Sequence, residues 1–260
     1  MERRRALGDE TEDLDRARAT YRETRQIWFA DGILDAHERL AVITVAAGLR
    51  QFAFLNHLAP QPRKRASELF SRLGFRTRVF NARFDLDFKV PGVSTASLDA
   101  YRTFQCRNKR FFGLGVWPNN GPGPTTKSIT ISNLGSALGY PECCVRMDVQ
   151  TKRQDHQLFL RALVKEVGDR PDQVTWALRR RVAVAKASQS HLRKWQRRFE
   201  LTLTRFPFAL HAACDECLSG SSSPTAILSA SHERLAKNVS DELVFLVRWA
   251  SRIGNGGRAR

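Results

Sequence analysis

The stretch Leu138-Gly139-Tyr140-Pro141-Glu142-Cys143-Cys144-Val145 places a turn, a carboxylate and two adjacent thiols within eight residues. A second stretch, His211-Ala212-Ala213-Cys214-Asp215-Glu216-Cys217, answers it downstream. Four of the five cysteines lie in these two places. Thiolates are soft ligands, and four-ligand sets of Cys and His suit Zn²⁺ or an iron–sulfur cluster. The gap in Cys214-x-x-Cys217 lets both sulfurs reach one ion. Cys143, Cys144 or both complete the set, with His211 as an optional ligand. Adjacent side chains diverge in regular structure, so a bend after Pro141 is expected if both are to ligate. A metal-free redox or nucleophilic thiol site stays open as an alternative, as do buried, inert cysteines. Cys106 stands apart beside Arg107 and reads as a spare thiol.

Two residues of these motifs are candidates for proton transfer. Glu142 sits on the turn before the thiols. Burial beside a cavity would turn it into a general acid or base; otherwise it is a surface carboxylate in the first turn of a helix. His211 is a ligand, a proton shuttle or a packed core histidine.

Working outward, residues 1–25 are charged and poor in large apolar side chains, and read as a frayed helix or flexible arm. Asp35 and Glu38 have the spacing of a helix start, and the apolar run Leu40 to Leu58 reads as a buried helix broken at Pro60 and Pro62. A short helix stops at Gly74, and residues 75–90 read as strand, with Phe84, Leu86 and Phe88 alternating with Asp85 and Asp87. Phe111 to Trp117 reads as a buried strand. Its Gly113-x-Gly115 lacks the third glycine and following helix of a dinucleotide fingerprint. Ile129 to Ile131 reads as a further strand, with Ser132 or Asn133 capping a helix through Leu138. Helices follow over Gln157 to Val167, from Pro171 onward, and from about Pro224 to Arg252. The expectation is an α+β protein, mainly helical, with a small mixed sheet in the middle of the chain. Its regions are a charged arm over 1–25, a helical and strand region over 26–118, a cysteine-site helical region over 125–253 and a disordered tail over 254–260. Residues 26–253 could equally form one compact domain.

The chain carries 43 basic and 26 acidic residues, a formal charge of +17. Such an excess points to an anionic partner, either a small molecule or nucleic acid, unless it only reflects an arginine-rich composition. Between Arg179 and Arg198 basic residues recur without an acidic one, and Arg179, Arg180, Arg193, Lys194 and Arg197 are the candidate anion contacts. The bland alternative is a solvated helix face. No apolar run is long enough to span a membrane, and no apolar core follows the basic Met1 to Arg5. The expected compartment is the cytoplasm, where clustered cysteines more often bind metal than form disulfides.

The two motifs together resemble an uncharacterised, mainly archaeal family, a domain of unknown function with Leu-Gly-Tyr-Pro-x-Cys-Cys-Val followed by His-x-x-Cys, with or without a further x-x-Cys. The matching residues here are Leu138 to Val145, His211, Cys214 and Cys217, and the likeness spans about residues 60–235. It departs after the paired cysteines, where Arg146 and Met147 stand. The resemblance implies that these positions form one site and brings no activity with it. The residues therefore support three readings. The first is an enzyme with a Zn or Fe–S site acting on a small or nucleotide-like anion, using Glu142 or His211 for proton transfer. The second is a metal-free condensing or cyclising enzyme of small-molecule biosynthesis. The third is a zinc-stabilised nucleic-acid-binding module.

Overall fold

A computed structural model describes residues 7–31, 36–55, 60–83, 88–108, 111–121, 123, 128–180 and 197–256. The elements are α1 (Leu7–Asp31), α2 (Ala36–Ala46), β1 (Ala53–Leu55), α3 (Pro60–Arg72), β2 (Phe75–Arg83), α4 (Thr95–Asn108), β3 (Phe111–Pro118) and β4 (Ser128–Thr130). They continue with α5 (Ile131–Ala137), α6 (Glu142–Val167), α7 (Pro171–Arg179), a helical stretch at 197–205 (α8), α9 (Asp215–Ser219), α10 (Pro224–Val239) and α11 (Asp241–Gly256). The protein is thus mainly helical α+β, and its sheet is mixed, in the order β1-β3-β2-β4. The central strand β3 runs antiparallel to β1 and β2, while β4 lies parallel to β2.

The sheet has two faces because strand side chains alternate. Ala53, Leu55, Leu114 and Val116 turn to one side and share a core with Leu40, Ile43 and Phe70 of α2 and α3. Leu235, Leu243 and Val247 of α10 and α11 belong to that same core, so both ends of the chain close over it. The opposite face is aromatic. Phe52, Phe80 and Trp117 pack there with Leu138, and Phe54, Leu134 and Tyr140 adjoin them. Gly113 and Gly115 make this possible. A Cβ on Gly113 would come within 2.4 Å of the Phe54 ring, and one on Gly115 within 2.4 Å of Phe80. Gly-x-Gly here is a seat for aromatic rings, not a phosphate loop. A further apolar group joins Leu98 and Tyr101 of α4, Leu160 and Leu163 of α6, and Val174 and Ala177 of α7.

The structure departs from the sequence expectations in several places. Most of the charged arm expected over 1–25 is helix α1, and Ala17 and Tyr21 are buried in the main core. One apolar stripe suffices to dock a helix however charged its other faces are. The helix expected from Leu40 to Leu58 ends at Ala46, because Gly48 takes a φ of 66° and the carbonyls of Ile43, Thr44 and Val45 are closed by the amides of Ala47, Leu49 and Gly48 respectively. The chain then extends into β1. Thr130, not Ser132 or Asn133, caps α5, its hydroxyl accepting from the Asn133 amide. The single closing helix is two helices, divided where Ser240 is extended and its hydroxyl caps the Glu242 amide at 3.2 Å. The disordered tail expected over 254–260 is helix α11 as far as Gly256, and its remainder lies outside the described residues. The helix start at Asp35 and the alternation at Phe84 to Asp87 lie outside the described residues. No helix among the described residues is long and apolar enough to cross a membrane.

Replacing Gly115 by alanine should destabilise the protein by about 1–3 kcal/mol, because the aromatic face cannot yield without moving Phe80 and Phe52. The same replacement at Gly121, where a new Cβ meets nothing closer than 3.4 Å, should be close to neutral. Urea unfolding of the two variants measures the difference.

Candidate metal centre

Each residue of the Leu138 to Val145 stretch has a structural task. Gly139, with a φ of 68°, ends α5: its amide bonds the Ser136 carbonyl and the Tyr140 amide bonds the Gly135 carbonyl. Leu138 anchors this turn in the aromatic face of the sheet. Tyr140 crosses to the other motif, its hydroxyl donating to the Leu210 carbonyl at 2.6 Å. Pro141 stands at the N-cap of α6, and its carbonyl accepts from the Cys144 and Val145 amides. Cys143 and Cys144 therefore fall in the first turn of a helix. Helical side chains tilt toward the N-terminus, so both sulfurs point past the helix end. The bend expected after Pro141 is simply this helix start.

The second pair meets them in the same way. Cys214 is the N-cap of α9 and Cys217 lies one turn on, so the x-x spacing puts both sulfurs at the start of that helix. The Sγ atoms of Cys143, Cys144, Cys214 and Cys217 all lie within 4.8 Å of one another. Cys143 to Cys144 is 3.9 Å, Cys143 to Cys217 3.5 Å and Cys144 to Cys217 3.6 Å. All four are free cysteines; Cys144, Cys214 and Cys217 are buried and Cys143 is partly exposed. Four sulfurs so placed can hold a metal ion.

The scaffold around them is fully hydrogen-bonded at the points that matter. The Cys214 amide donates to Cys144 Sγ at 3.4 Å, and the Ala213 amide donates to the Thr202 hydroxyl at 2.9 Å. The Ser223 hydroxyl donates to the Cys217 carbonyl at 2.8 Å. Arg198 reaches from α8 to Asp215 at 3.1 Å and to Met147 Sδ at 3.0 Å, tying α8, α9 and α6 together. Arg205 holds the carbonyls of Leu218 and Ser219.

The thiols are not equivalent. Burial raises Cys143 to about 11, and hydrogen bonds with Cys217 and Cys214 push in the same direction. Burial drives Cys144 higher still. At Cys217 burial also works upward, but hydrogen bonds from Thr225 and from the thiols of Cys143 and Cys214 outweigh it, and the group falls to about 7. Without a metal, Cys217 is thus more easily ionised than Cys143 and Cys144.

His211 is brought to the site but not into the sulfur set. It is buried, with Nε2 3.0 Å from the Thr225 hydroxyl, which lies 3.4 Å from Cys144 Sγ. Burial first, and then the charge of Arg50, lower its pKa to about 3, so it is a neutral imidazole. Glu142 takes the other course. Its side chain is 87% exposed and pairs with Arg146 at 2.9 Å on the surface of α6, so it does not have the burial that would make it a general acid or base. Arg179, Arg180 and Arg197 are exposed at the end of α7 and the start of α8, while Arg193 and Lys194 lie outside the described residues. Sequence reasoning missed Thr225, Ser229 and His232, all buried on α10. Their spacing of four and three residues is a polar stripe on one helix face, a signal present in the sequence.

Comparison of the chain with protein-family models, with curated proteins and with solved structures returns no match. Function must therefore be argued from the site.

Two pH effects follow. Loading a divalent ion at pH 8 should release at least two protons per ion, from Cys143 and Cys144, which calorimetry in buffers of different ionisation enthalpy measures directly. Separately, His211 and His232 titrate near 3 and 4 in the folded protein, against about 6.5 unfolded. The unfolded chain binds the extra protons, so their contribution is intact above pH 6.5 and is lost as pH falls toward 4. The loss is about 2 kcal/mol for each histidine at pH 5, readable from denaturant unfolding of the metal-free protein.

Proposed function

We propose that this protein is a nucleic-acid-binding module whose fold is held by one structural zinc ion. The observation that carries this reading is the closed set of four thiols, three of them buried, within 4.8 Å. Around one Zn²⁺ with bonds of about 2.3 Å, tetrahedral sulfurs stand about 3.8 Å apart. The separations among Cys143, Cys144 and Cys217, 3.5–3.9 Å, agree with that, and the Cys214 sulfur lies within 4.8 Å of all three. An iron–sulfur cluster spreads its thiolates over different irons and holds them further apart. Four protein ligands also complete the tetrahedron, whereas catalytic zinc keeps a position for water or substrate.

The partner is inferred from charge. A formal charge of +17 favours a polyanion, and exposed Arg179, Arg180 and Arg197 flank the basic segment 181–196. An enzyme acting on a small anion is the second reading, and one observation favours it: a group of buried polar side chains around Arg50 and His211, next to the sulfurs. A metal-free condensing or cyclising enzyme built on Glu142 draws no support from that residue's exposed position.

Protein purified without oxygen should contain one zinc per chain and lose it in each of Cys143→Ser, Cys144→Ser, Cys214→Ser and Cys217→Ser. Stoichiometric iron with sulfide-type visible absorption would overturn the zinc assignment. Affinity for nucleic acid should fall steeply with salt. For duplex DNA, replacing Arg179, Arg180 and Arg197 together by alanine should reduce the slope of log K against log salt by roughly 2–3. No binding at low salt ends the nucleic-acid reading.

A further inference from the structure

Helix α11 is apolar on the side it buries and aromatic on the side it leaves in water. Leu243 and Val247 are fully buried in the main core, and Ser251 lies buried one turn further along. Phe245, Arg248, Trp249 and Arg252 are all exposed. Their spacing puts them on one strip of the outer surface, with rings and guanidinium groups alternating along it. Phe245 keeps 64% and Trp249 52% of its surface in water. Single apolar side chains on a surface are ordinary, but two large rings one turn apart make a continuous patch.

The patch is set in positive charge. Arg248 is held by Glu233 of α10 at 2.6 Å, and Lys237 reaches the same carboxylate at 3.0 Å, so two cations share one anion. Arg252 follows one turn beyond Arg248. Asp241 stands before Phe245 in the first turn of α11, where a carboxylate complements the helix dipole. Rings flanked by guanidinium groups match a polyanion that also carries flat rings of its own. An apolar helix of another protein would use the rings and not the arginines. A lipid surface holds a helix through a wider apolar face than two side chains supply.

We infer that the outer strip of α11 is a stacking platform for single-stranded nucleic acid, with bases on Phe245 and Trp249 and phosphates at Arg248 and Arg252. This rests on the nucleic-acid reading and adds to it a second surface and the state of the strand. Duplex bases cover one another's faces and present only their edges, so a surface ring has nothing there to stack upon. Residues four apart rise about 6 Å along a helix, whereas bases within a duplex strand rise about 3.4 Å. Neighbouring bases must part to occupy both rings, which an unpaired strand does and a duplex does not. Every base has a π-face, so the platform selects for strandedness and not for sequence.

The test uses the full-length, metal-loaded protein at low salt with a labelled oligothymidylate, whose bases pair with nothing, and with a labelled duplex, both read by fluorescence anisotropy. Phe245→Ala and Trp249→Ala should each weaken the single strand by roughly tenfold and leave the duplex within about twofold. Trp249→Phe, which keeps a π-face, should retain most of the affinity, and Trp249→Leu, which keeps apolar area without one, should behave like Trp249→Ala. Each variant should keep its metal content and its circular dichroism, since these side chains lie in solvent. Single-strand affinity unchanged by all four replacements, or retained equally by Trp249→Leu and Trp249→Phe, overturns the platform and leaves the nucleic-acid reading on Arg179, Arg180 and Arg197. Absence of binding to strand and duplex alike overturns the platform together with that reading. Two other results overturn the platform alone. One is a dimer that Phe245→Ala dissociates in sedimentation while single-strand binding is unchanged, which gives the strip to a second copy of the chain. The other is binding to phosphatidylserine vesicles that Trp249→Ala removes while single-strand binding is unchanged, which gives it to a lipid surface.

Discussion

Four sulfur atoms held within one ion's reach are the constraint to which the rest of this chain conforms. Thiolates repel one another, and burial makes Cys143 and Cys144 give up their protons reluctantly, so the cluster persists either with those two thiols protonated or around a cation. Both states require two helix starts to face each other at fixed separation. Pro141 starts one and Cys214 caps the other. Each start is then fixed from behind. Gly139 closes α5 immediately before Pro141, and Arg198, Thr202 and Arg205 of α8 hold the residues around Cys214 and Cys217. Such braces matter because a ligand set ordered in advance loses less entropy when an ion arrives.

The sheet takes part in this arrangement through its aromatic face. Leu138 and Tyr140 belong both to the cysteine motif and to the side chains that cover Phe52, Phe80 and Trp117. The glycines of β3 let those rings lie close to the strand, which brings the turn before α6 down onto the sheet. The packing of the fold and the placement of the sulfurs are in this sense one problem. A change at Gly115 bears on Cys143 even though the two do not touch.

The sequence made the site more legible than the fold around it. Cysteine spacing is a local property that survives without tertiary knowledge, and the two motifs do come together. The strand from Phe111 was readable from its apolar run, whereas the one from Phe75 begins where Gly74 stops α3 but ends at Arg83, so Phe88 to Val90 of the expected strand 75–90 lie outside it. Helix ends were harder, since Gly48 and Ser240 stop helices through backbone geometry that apolar periodicity does not register. Helix α1 was obscured because its charged residues outnumber the few that dock. Glu142 illustrates a different limit: proximity in sequence to two thiols says nothing about which side of the helix faces water. Arg50 and His232 were invisible for the converse reason, as they lie far along the chain from the cysteines and acquire meaning only when the tertiary fold buries them.

Helix α6 joins regions that otherwise have little to do with each other. Its 26 residues extend for about 39 Å. The first turn carries Cys143 and Cys144, and the last turns pack through Leu160 and Leu163 against α4 and α7. Exposed Arg179 and Arg180 stand at the end of α7. A helix of this length is a stiff rod, so a tilt imposed at the sulfur end is carried undiminished to its far end. The separation and direction of the sulfur cluster and the α4–α7 packing are thus set by one element, which acts as a strut between them.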